Sequence, residues 1–300
     1  MLTEAQIAEG WFVLDHQGTP IWGRTIPASG SGTERDVVLI HGAGAHLHWW
    51  DAMLAHVGRP WRTTVFDLSG HGRSGHRPDG YRAELWADEV ATVIARQSLT
   101  GSATVVAHSM GGLIATAMAA QFPERIDELI VLDVTFQPPE PGTAHAPRGR
   151  PGRERTIHPD FATAMRRFRL VPEGSTADPD LIRQLAALSY ERADGGWRVR
   201  FDPRVFQQFT DAMIHDWLGR VRCPVTLIGG ELSPAVTEDR AEYVARRLGQ
   251  PIRWGTIPGA HHHVQLDRPA ALGDLLVRLL AGEEPPGLRW ATGAATGASS

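Results

Sequence analysis

Short apolar runs alternate with amphipathic stretches along most of the chain. The runs are rich in valine and isoleucine, which is typical of strands buried on both faces. They lie at 37–40, 63–67, 103–107, 127–133, 224–229 and 252–257. Segments with helical periodicity lie between or after them, at 84–97, 113–120, 235–248 and 270–281. This alternation predicts an α/β fold, with a mostly parallel sheet covered by helices on both faces.

Two further strands are predicted near the start of the chain. Trp11–Asp15 and Pro20–Ile26 flank a polar turn, which indicates an antiparallel hairpin. We place this hairpin at one edge of the sheet, which then has eight strands. Residues 30–33 are rich in glycine and are predicted to form a loop before the first parallel strand.

The alternation stops between residues 136 and 215. This segment opens with a stretch rich in proline, glycine and arginine (137–151), followed by helical patterns near 160–169, 179–190 and 203–218. It is too long for an ordinary loop. We interpret it as a helical lid inserted between two parts of one core domain, 1–135 and 216–281. The last segment, 282–300, is rich in glycine and alanine and is predicted to be a disordered tail.

Composition narrows the possible functions. The formal net charge is −4, so no basic field argues for a nucleic-acid partner. Cys223 is the only cysteine, and lysine and asparagine are absent from the sequence. A Schiff-base lysine, a Ser–Lys dyad and a Cys–His–Asn triad are therefore excluded.

The first residues lack the pattern of a signal peptide, and no apolar run reaches the roughly 18–20 residues of a membrane span. We expect a cytoplasmic protein without a membrane partner.

The stretch Ala103–Gly112 carries the strongest chemical signal. A short apolar strand runs into Ser109, and an apolar helix follows at once. Ala107 and Gly111 are small, which leaves room for a tight, strained bend that exposes the serine hydroxyl. The free N–H groups of the helix N-terminus favour negative charge beside it. These features indicate a catalytic nucleophile.

With three other motifs, this stretch resembles the α/β-hydrolase superfamily over residues 10–281. His41-Gly-Ala-Gly follows the first parallel strand, and a Gly-His-Gly turn occurs within Asp67–Ser74. A run of three histidines lies in Ile257–Pro269, after the last predicted strand. The resemblance implies an α/β-hydrolase fold in which Ser109 is the nucleophile.

The resemblance also implies roles for backbone groups and for a histidine. Met110 and Ala43 are expected to supply the N–H donors of an oxyanion hole. Gly42 is expected to let the loop backbone come close to the substrate oxygen. The Asp267-Arg-Pro269 ending of the histidine stretch places His262 at the position of the base, although its neighbours in the run stay possible. Adjacent side chains converge poorly on one ion, so a metal site in this run is not favoured.

The acid departs from the commonest family pattern. Ser233 occupies the usual position on the loop after the second-last strand, and it cannot carry a charge. Asp133, at the end of the preceding strand, is our first choice, because some members of the family place their acid there. Glu231 is the second choice, since its longer side chain lies on the usual loop.

The reaction implied by the resemblance is two-step acyl transfer through an acyl-serine, without a cofactor. We expect a small, mainly apolar ester, lactone or thioester as the substrate. A carbon–carbon bond hydrolase acting on a diketone-type substrate, or a small-molecule receptor that keeps the triad, are the alternatives. The pocket is expected to be lined by residues from both the core and the inserted segment: His41, Gly42, Trp49, Phe136 and Trp217.

Arginines in the inserted segment remain open to two interpretations. They could attract an anionic substrate, or they could form a solvated face. They lie at positions 148, 150, 153, 155, 166, 167 and 169.

Overall fold

The computed structural model describes residues 2–29, 35–58, 60–148, 155–206 and 208–293. The strands in this part of the chain are β1 (Trp11–His16), β2 (Thr19–Ile26), β3 (Asp36–Ile40), β4 (Arg62–Phe66), β5 (Ala103–His108), β6 (Ile126–Leu132), β7 (Tyr190–Ala193), β8 (Gly196–Val199), β9 (Val225–Gly230), β10 (Ile252–Ile257) and β11 (Arg289–Ala291). The predicted loop at 30–33 lies outside the described residues.

Nine of these strands form one sheet in the order β1-β2-β4-β3-β5-β6-β9-β10-β11. The strands from β4 to β10 in this order pair in parallel. The hairpin β1–β2 is antiparallel and lies at one edge, where β2 pairs with β4. The predicted mostly parallel sheet with an N-terminal hairpin is therefore confirmed, with one strand more than the eight expected.

The additional strand lies in the segment that we predicted to be a disordered tail. Arg289–Ala291 pair antiparallel with Ile252–Trp254, and Ala291 is fully buried. The guanidinium of Arg289 lies 5.2 Å from the ring centroid of Trp254. The prediction is therefore wrong for this part of the segment, because the open edge of β10 needs backbone partners whatever the local composition. Residues 294–300 lie outside the described part of the chain.

Helices cover both faces of the sheet. They are α1 (Glu4–Ala8), α2 (Asp51–Val57), α3 (Ala83–Gln97), α4 (Met110–Gln121), α5 (Phe161–Arg167), α6 (Pro179–Leu188), α7 (Asp211–Leu218), α8 (Glu238–Leu248), α9 (Val264–Asp267) and α10 (Pro269–Leu280). Along β3, Val38 packs with the cluster that holds α3, α4 and α8, and Leu39 packs with the cluster that holds α2 and α10. Successive side chains thus face opposite layers. No helix in the described residues is both long and apolar enough to cross a membrane.

Residues 136–215, here called the inserted segment, join β6 to β9. Helices α5 and α6 lie at two of the predicted helical stretches. The third prediction, 203–218, is correct only for its last part, because a short 3₁₀ turn (Pro203–Val205) and an extended stretch precede α7. The β7–β8 hairpin was not among the predicted elements; Asp194 and Gly195 form its turn, and Gly195 has a positive φ.

The predicted end of the inserted segment, at residue 215, falls inside α7. Ile214, Trp217 and Leu218 on this helix are buried in the same core cluster as α4. The chain has therefore rejoined the core before residue 215, and the boundary at 215–216 is wrong, because one amphipathic helix cannot be divided between two packing units.

Candidate active site

The bend at Ser109 joins β5 to α4. Ser109 has φ of 53° and ψ of −122°, a backbone conformation that non-glycine residues rarely adopt. Gly111, two residues later, lies so close to the loop after β3 that an added Cβ would sit 2.5 Å from the carbonyl oxygen of His41. Glycine at 111 therefore allows the helix to start directly behind the strand, with the serine at the carboxyl edge of the sheet.

Three side chains form a continuous hydrogen-bonded chain at this edge. The Oγ of Ser109 lies 3.0 Å from Nε2 of His262. The Nδ1 of His262 lies 2.6 Å from Oδ2 of Asp133. Ser109 follows β5, Asp133 follows the neighbouring β6, and His262 lies on the loop after β10. The structure thus brings together the nucleophile, the base and the first-choice acid that the sequence predicted.

Asp133 is buried and held by several donors. It has a positive φ of 52°, as Ser109 does, and its side chain is inaccessible to solvent. Its Oδ1 accepts a hydrogen bond from the Gly230 amide at 2.9 Å, and its Oδ2 accepts one from the Ser233 hydroxyl at 2.7 Å. Donors on both oxygens orient the carboxylate toward His262.

Ser233 is a residue whose contribution the sequence reasoning missed. It was interpreted only as a position where the usual acid is absent. Its hydroxyl instead supports the carboxylate of Asp133 on the neighbouring strand end. The signal was present in the sequence, because a small donor at the usual acid position fits an acid placed on the adjacent strand.

The second-choice acid is not part of this arrangement. The Oε2 of Glu231 accepts a hydrogen bond from the Gly259 amide at 2.8 Å, in an exposed environment. Within the described residues, Glu231 makes no hydrogen bond with His262. It ties the loop after β9 to the loop after β10.

Two backbone amides flank the serine. Met110 is the first residue of α4, and Ala43 lies on the loop after β3; both line one cavity with Ser109. Neither amide has a hydrogen-bond acceptor in the described part of the chain. Gly42 is confined, since an added Cβ would lie 3.0 Å from Nδ1 of His108 and 3.1 Å from Cβ of Ser109. A side chain at this position would therefore force the loop or the neighbouring residues to shift by a few tenths of an ångström.

Three further histidines in this region are buried and carry no charge at neutral pH. Burial lowers the pKa of His41 and the pKa of His263 to about 4. Burial also lowers the pKa of His108 well below its usual value, and this ring bonds through Nε2 to the carbonyl of His262 at 2.9 Å. Of the three consecutive histidines, only His262 contacts Ser109.

The nearest set of metal-type donors overlaps the same residues. Nitrogens of His108, His262 and His263 lie within 4.8 Å of one another. Both ring nitrogens of His262 already bond to Ser109 and Asp133. Ligand nitrogens on one zinc ion, at about 2.0–2.1 Å from the metal, lie much closer together than 4.8 Å. The arrangement therefore fits proton transfer better than metal ligation.

Two cavities meet at the serine. The first cavity has a volume of about 370 Å³ and is lined by Trp49, Tyr190, Val199 and Phe201, among others. The second cavity has a volume of about 470 Å³ and is lined by other, mainly apolar residues: Met110, Leu113, Val134, Val205, Phe209, Pro234 and Ala235. Their shared wall contains Ala43, Ser109, Pro172, Phe206 and His262. A substrate can thus extend on both sides of the serine.

Three of the predicted pocket residues line neither cavity. His41 is fully buried, and its ring bonds to the Gly42 carbonyl and to the Leu68 amide. Phe136 and Trp217 are buried in the core cluster of α4. These three predictions are wrong, because each side chain packs inside the core. Gly42 and Trp49 do line the first cavity. Arg150 and Arg153 lie outside the described residues.

Comparison with known proteins agrees with the fold. The family model for the alpha/beta hydrolase fold matches residues 37–269, which is most of the chain. The chain belongs to the α/β-hydrolase family. The matched range runs from the start of β3's apolar core to the first residue of α10, so it includes all three residues of the hydrogen-bonded chain.

Several relatives in this family have assigned activities. Esterase Rv0045c of Mycobacterium tuberculosis is 29% identical over 85% of this chain and 83% of its own length. Its crystal structure has a TM-score of 0.69 at 26% identity and covers 90% of each chain. The 3-oxoadipate enol-lactonase 2 of Acinetobacter baylyi is 24% identical over 71% of this chain and 76% of its own. A thioesterase domain of the curacin pathway shares the fold, with a TM-score of 0.70 at 23% identity and coverage of 89% and 98%.

Proposed function

We propose that this protein is a serine hydrolase that cleaves carboxylic esters, lactones or thioesters through an acyl-serine intermediate. The observation that carries the proposal is the chain of hydrogen bonds from Asp133 through His262 to Ser109, with distances of 2.6 and 3.0 Å, at a cavity. Relatives named esterase and enol-lactonase support an ester-type bond. The serine nucleophile argues against the aspartyl-ester chemistry of dehalogenases and epoxide hydrolases of this fold.

The first step is attack of Ser109 Oγ on the substrate carbonyl. His262 Nε2 accepts the hydroxyl proton, and the resulting imidazolium is stabilised by the carboxylate of Asp133. The rings of His108 and His263, whose centroids lie 4.8 and 5.0 Å from that of His262, stay neutral at pH 7 because burial lowers the pKa of both. No positive charge from these rings then opposes formation of the imidazolium.

The tetrahedral oxygen is held by the amides of Met110 and Ala43. Both are unpaired within the described residues and lie beside the serine. Removing one such donor typically costs about 2.7–4 kcal/mol of transition-state stabilisation. Collapse of the intermediate transfers the proton from His262 to the leaving oxygen or sulfur. Water, activated by the same histidine, then hydrolyses the acyl-serine.

The inserted segment acts as the lid over this site. Pro172 and Phe206 from this segment line both cavities, and Tyr190 and Val199 of the β7–β8 hairpin line the first. The walls are mainly apolar, which suits a small, mainly apolar substrate.

Labelling with a fluorophosphonate tests the nucleophile directly. We expect wild-type protein to be labelled and to hydrolyse short p-nitrophenyl esters, and Ser109→Ala to lose the label and at least about 10³-fold of the activity. Ser102→Ala is the matched control, because Ser102 precedes the same strand at the opposite end of the sheet. It should be labelled as wild type is. Labelling or full turnover by a folded Ser109→Ala protein would contradict the proposal.

A further inference from the structure

The wall of the first cavity contains a tyrosine hydroxyl without a partner. Tyr190, on β7, lines this cavity and is only 4% exposed. The hydroxyls of the other two tyrosines are bonded, that of Tyr81 to Asp202 at 3.2 Å and that of Tyr243 to Nδ1 of His215 at 2.9 Å. The hydroxyl of Tyr190 has no hydrogen bond with any described residue. Buried tyrosine hydroxyls usually find a partner, so this one points to a ligand atom.

A ligand can reach this hydroxyl. The polar atoms of the cavity wall that are both unpaired and fully enclosed are ring nitrogens of Trp49, His108 and His263. The Tyr190 oxygen is unpaired but keeps accessible surface, so it is not one of them. Tyr190 pairs across the hairpin with Val199, and cross-strand partners lie on the same face. Val199 lines the first cavity as well, so this face of the hairpin is directed into it.

Two arginines belong to the same wall. Arg167, at the end of α5, and Arg169 both line the first cavity and are exposed. Nη1 of Arg169 donates to the carbonyls of Arg166 and Phe168, whereas its Nε and Nη2 have no partner among the described residues. The guanidinium of Arg167 has none in this part of the chain either. These are two of the arginines for which the sequence left both a solvated and a substrate-directed interpretation open.

The charge of Arg169 acts on the hydroxyl of Tyr190. Burial raises the pKa of Tyr190, and the positive charge of Arg169 opposes part of this effect. The hydroxyl therefore stays protonated at neutral pH and can donate a hydrogen bond. A cation and a neutral donor that lie near each other suit one anionic acceptor.

Acidic side chains are missing from the wall of the first cavity. None of the described residues that line it is an aspartate or a glutamate. In the second cavity, by contrast, Asp133 lines the wall, and Arg148 is paired with Asp211. An anion in the first cavity would therefore meet positive charge that no acid in the wall balances. Apolar residues of this wall include Phe168, Leu170, Val171, Pro172 and Phe201.

We propose that the first cavity binds an arm of the substrate that ends in an anionic group, a carboxylate or a phosphate. The hydroxyl of Tyr190 donates to this group, and Arg167 and Arg169 supply the balancing charge. This rests on the proposed function. The apolar part of the wall takes the chain that joins the anion to the ester. The substrate class is thus an ester or thioester with a charged far end, in place of a plain alkyl chain.

Two matched series of esters test this assignment. One compares the p-nitrophenyl monoester of suberic acid with the corresponding primary amide, which has the same shape and no charge. The other compares 6-acetoxyhexanoate and 6-acetoxyhexyl phosphate with 6-acetoxyhexanamide, so that either arm of the ester can enter the first cavity. For wild type we expect kcat/KM to favour an anionic ester over its amide by roughly 10–100-fold, as for hydrogen bonds to a charged group. Added salt should reduce this preference, because the arginines are exposed.

Variants then connect the preference to these side chains. Tyr190→Phe keeps the ring and removes the donor, so the ratio of anionic to amide kcat/KM should fall at least about threefold, as for the loss of one charge-assisted hydrogen bond. In Arg167→Met/Arg169→Met the ratio should fall close to one. Tyr243→Phe and Arg278→Met are the matched controls and should keep the wild-type ratio, because neither residue lines either cavity.

The outcomes separate this inference from the proposed function. Equal kcat/KM for anionic and amide esters in both series, in an enzyme whose Ser109 is labelled, would overturn the anion assignment alone. A preference that survives in both Tyr190→Phe and the double arginine variant would show that the anion binds elsewhere, and would overturn the role of the first cavity. Failure of fluorophosphonate to label the wild type would overturn the proposed function, and the inference with it.

Discussion

The sheet edge and the inserted segment above it are held together in different ways. Ser109 and Asp133 lie at the ends of the neighbouring parallel strands β5 and β6, and His262 lies on the loop after β10. The side chain of Asp133 is completely buried. The inserted segment consists of short helices and a two-stranded hairpin, with many half-buried or exposed positions. If the proposed function is right, we expect the reacting groups to be fixed by the sheet and the selectivity to be set by the less tightly packed inserted segment.

The largest effect is expected from changing the acid at the sheet edge. Asp133→Asn should reduce kcat by about 10⁴-fold, because an amide stabilises the wrong histidine tautomer and cannot balance the imidazolium. Glu231→Gln should change kcat by no more than about threefold, since among the described residues its side chain hydrogen-bonds only to the Gly259 amide. Steady-state kinetics with p-nitrophenyl acetate measure both.

The two carboxylates serve as controls for each other. If Glu231→Gln loses activity and Asp133→Asn keeps it, the acid has been assigned to the wrong strand. Circular dichroism and thermal unfolding of both variants separate a catalytic loss from misfolding.

The second expected effect is a loss of stability in acid that originates at the sheet edge. Burial lowers the pKa of His41, His46 and His263 from 6.5 to between about 3 and about 4. The unfolded chain therefore binds protons between pH 6.5 and 4 that the native protein does not, and stability falls as the pH falls through this window. At pH 5.5 each histidine loses about 1.4 kcal/mol relative to pH 7.5.

Asp67 acts in the opposite direction. Burial raises its pKa to about 6, so protonation of the folded state restores about 0.8 kcal/mol at pH 5.5. The net loss for these four groups is then roughly 3 kcal/mol. Chemical unfolding at pH 7.5 and 5.5 measures it, and His46→Gln should reduce the difference. Equal stability at both pH values would contradict the neutral state of the buried histidines.

The smallest effect is expected in the inserted segment. Phe206 lines both cavities and packs edge-to-face against Phe201, with ring centroids 5.8 Å apart. Phe206→Ala should change kcat/KM for an acetyl ester by only a few-fold. The ratio of kcat/KM between long and short acyl esters should change by up to about tenfold, as for a changed apolar pocket. Phe161→Ala is the matched control, because this ring packs on Trp197 and lines neither cavity. A loss of fluorophosphonate labelling in Phe206→Ala would contradict the expectation that the inserted segment affects selectivity and leaves the reactivity of Ser109 unchanged.

The same division explains what the sequence could predict. Buried strands, the bend at Ser109 and the alternation of layers follow from local periodicity and small residues, and they were correctly located. The positions of His262 and Asp133 relative to Ser109 came from the family resemblance and the order of the strands. Their catalytic roles remain predictions, although the structure places all three in contact.

What the sequence did not reveal depends on long-range contacts. The support that Ser233 gives to Asp133 joins residues on two neighbouring strand ends, so it follows from the sequence only when the serine at the usual acid position and the acid on the adjacent strand are considered together. The strand at Arg289–Ala291 forms only because β10 offers an edge. Phe136 and Trp217 are as apolar as pocket residues are, so only the packing of α4 and α7 decides that they lie in the core.

The backbone at Ser109 and at Asp133 creates a tension between activity and fold stability. Both residues have φ near +50°, where a side chain strains the main chain by about 1–3 kcal/mol. A glycine at either position would relieve that strain while removing a side chain that we propose to react or to orient the base. Selection for thermal stability alone would therefore favour glycine at these two positions. The serine and aspartate side chains are retained only where turnover is also selected.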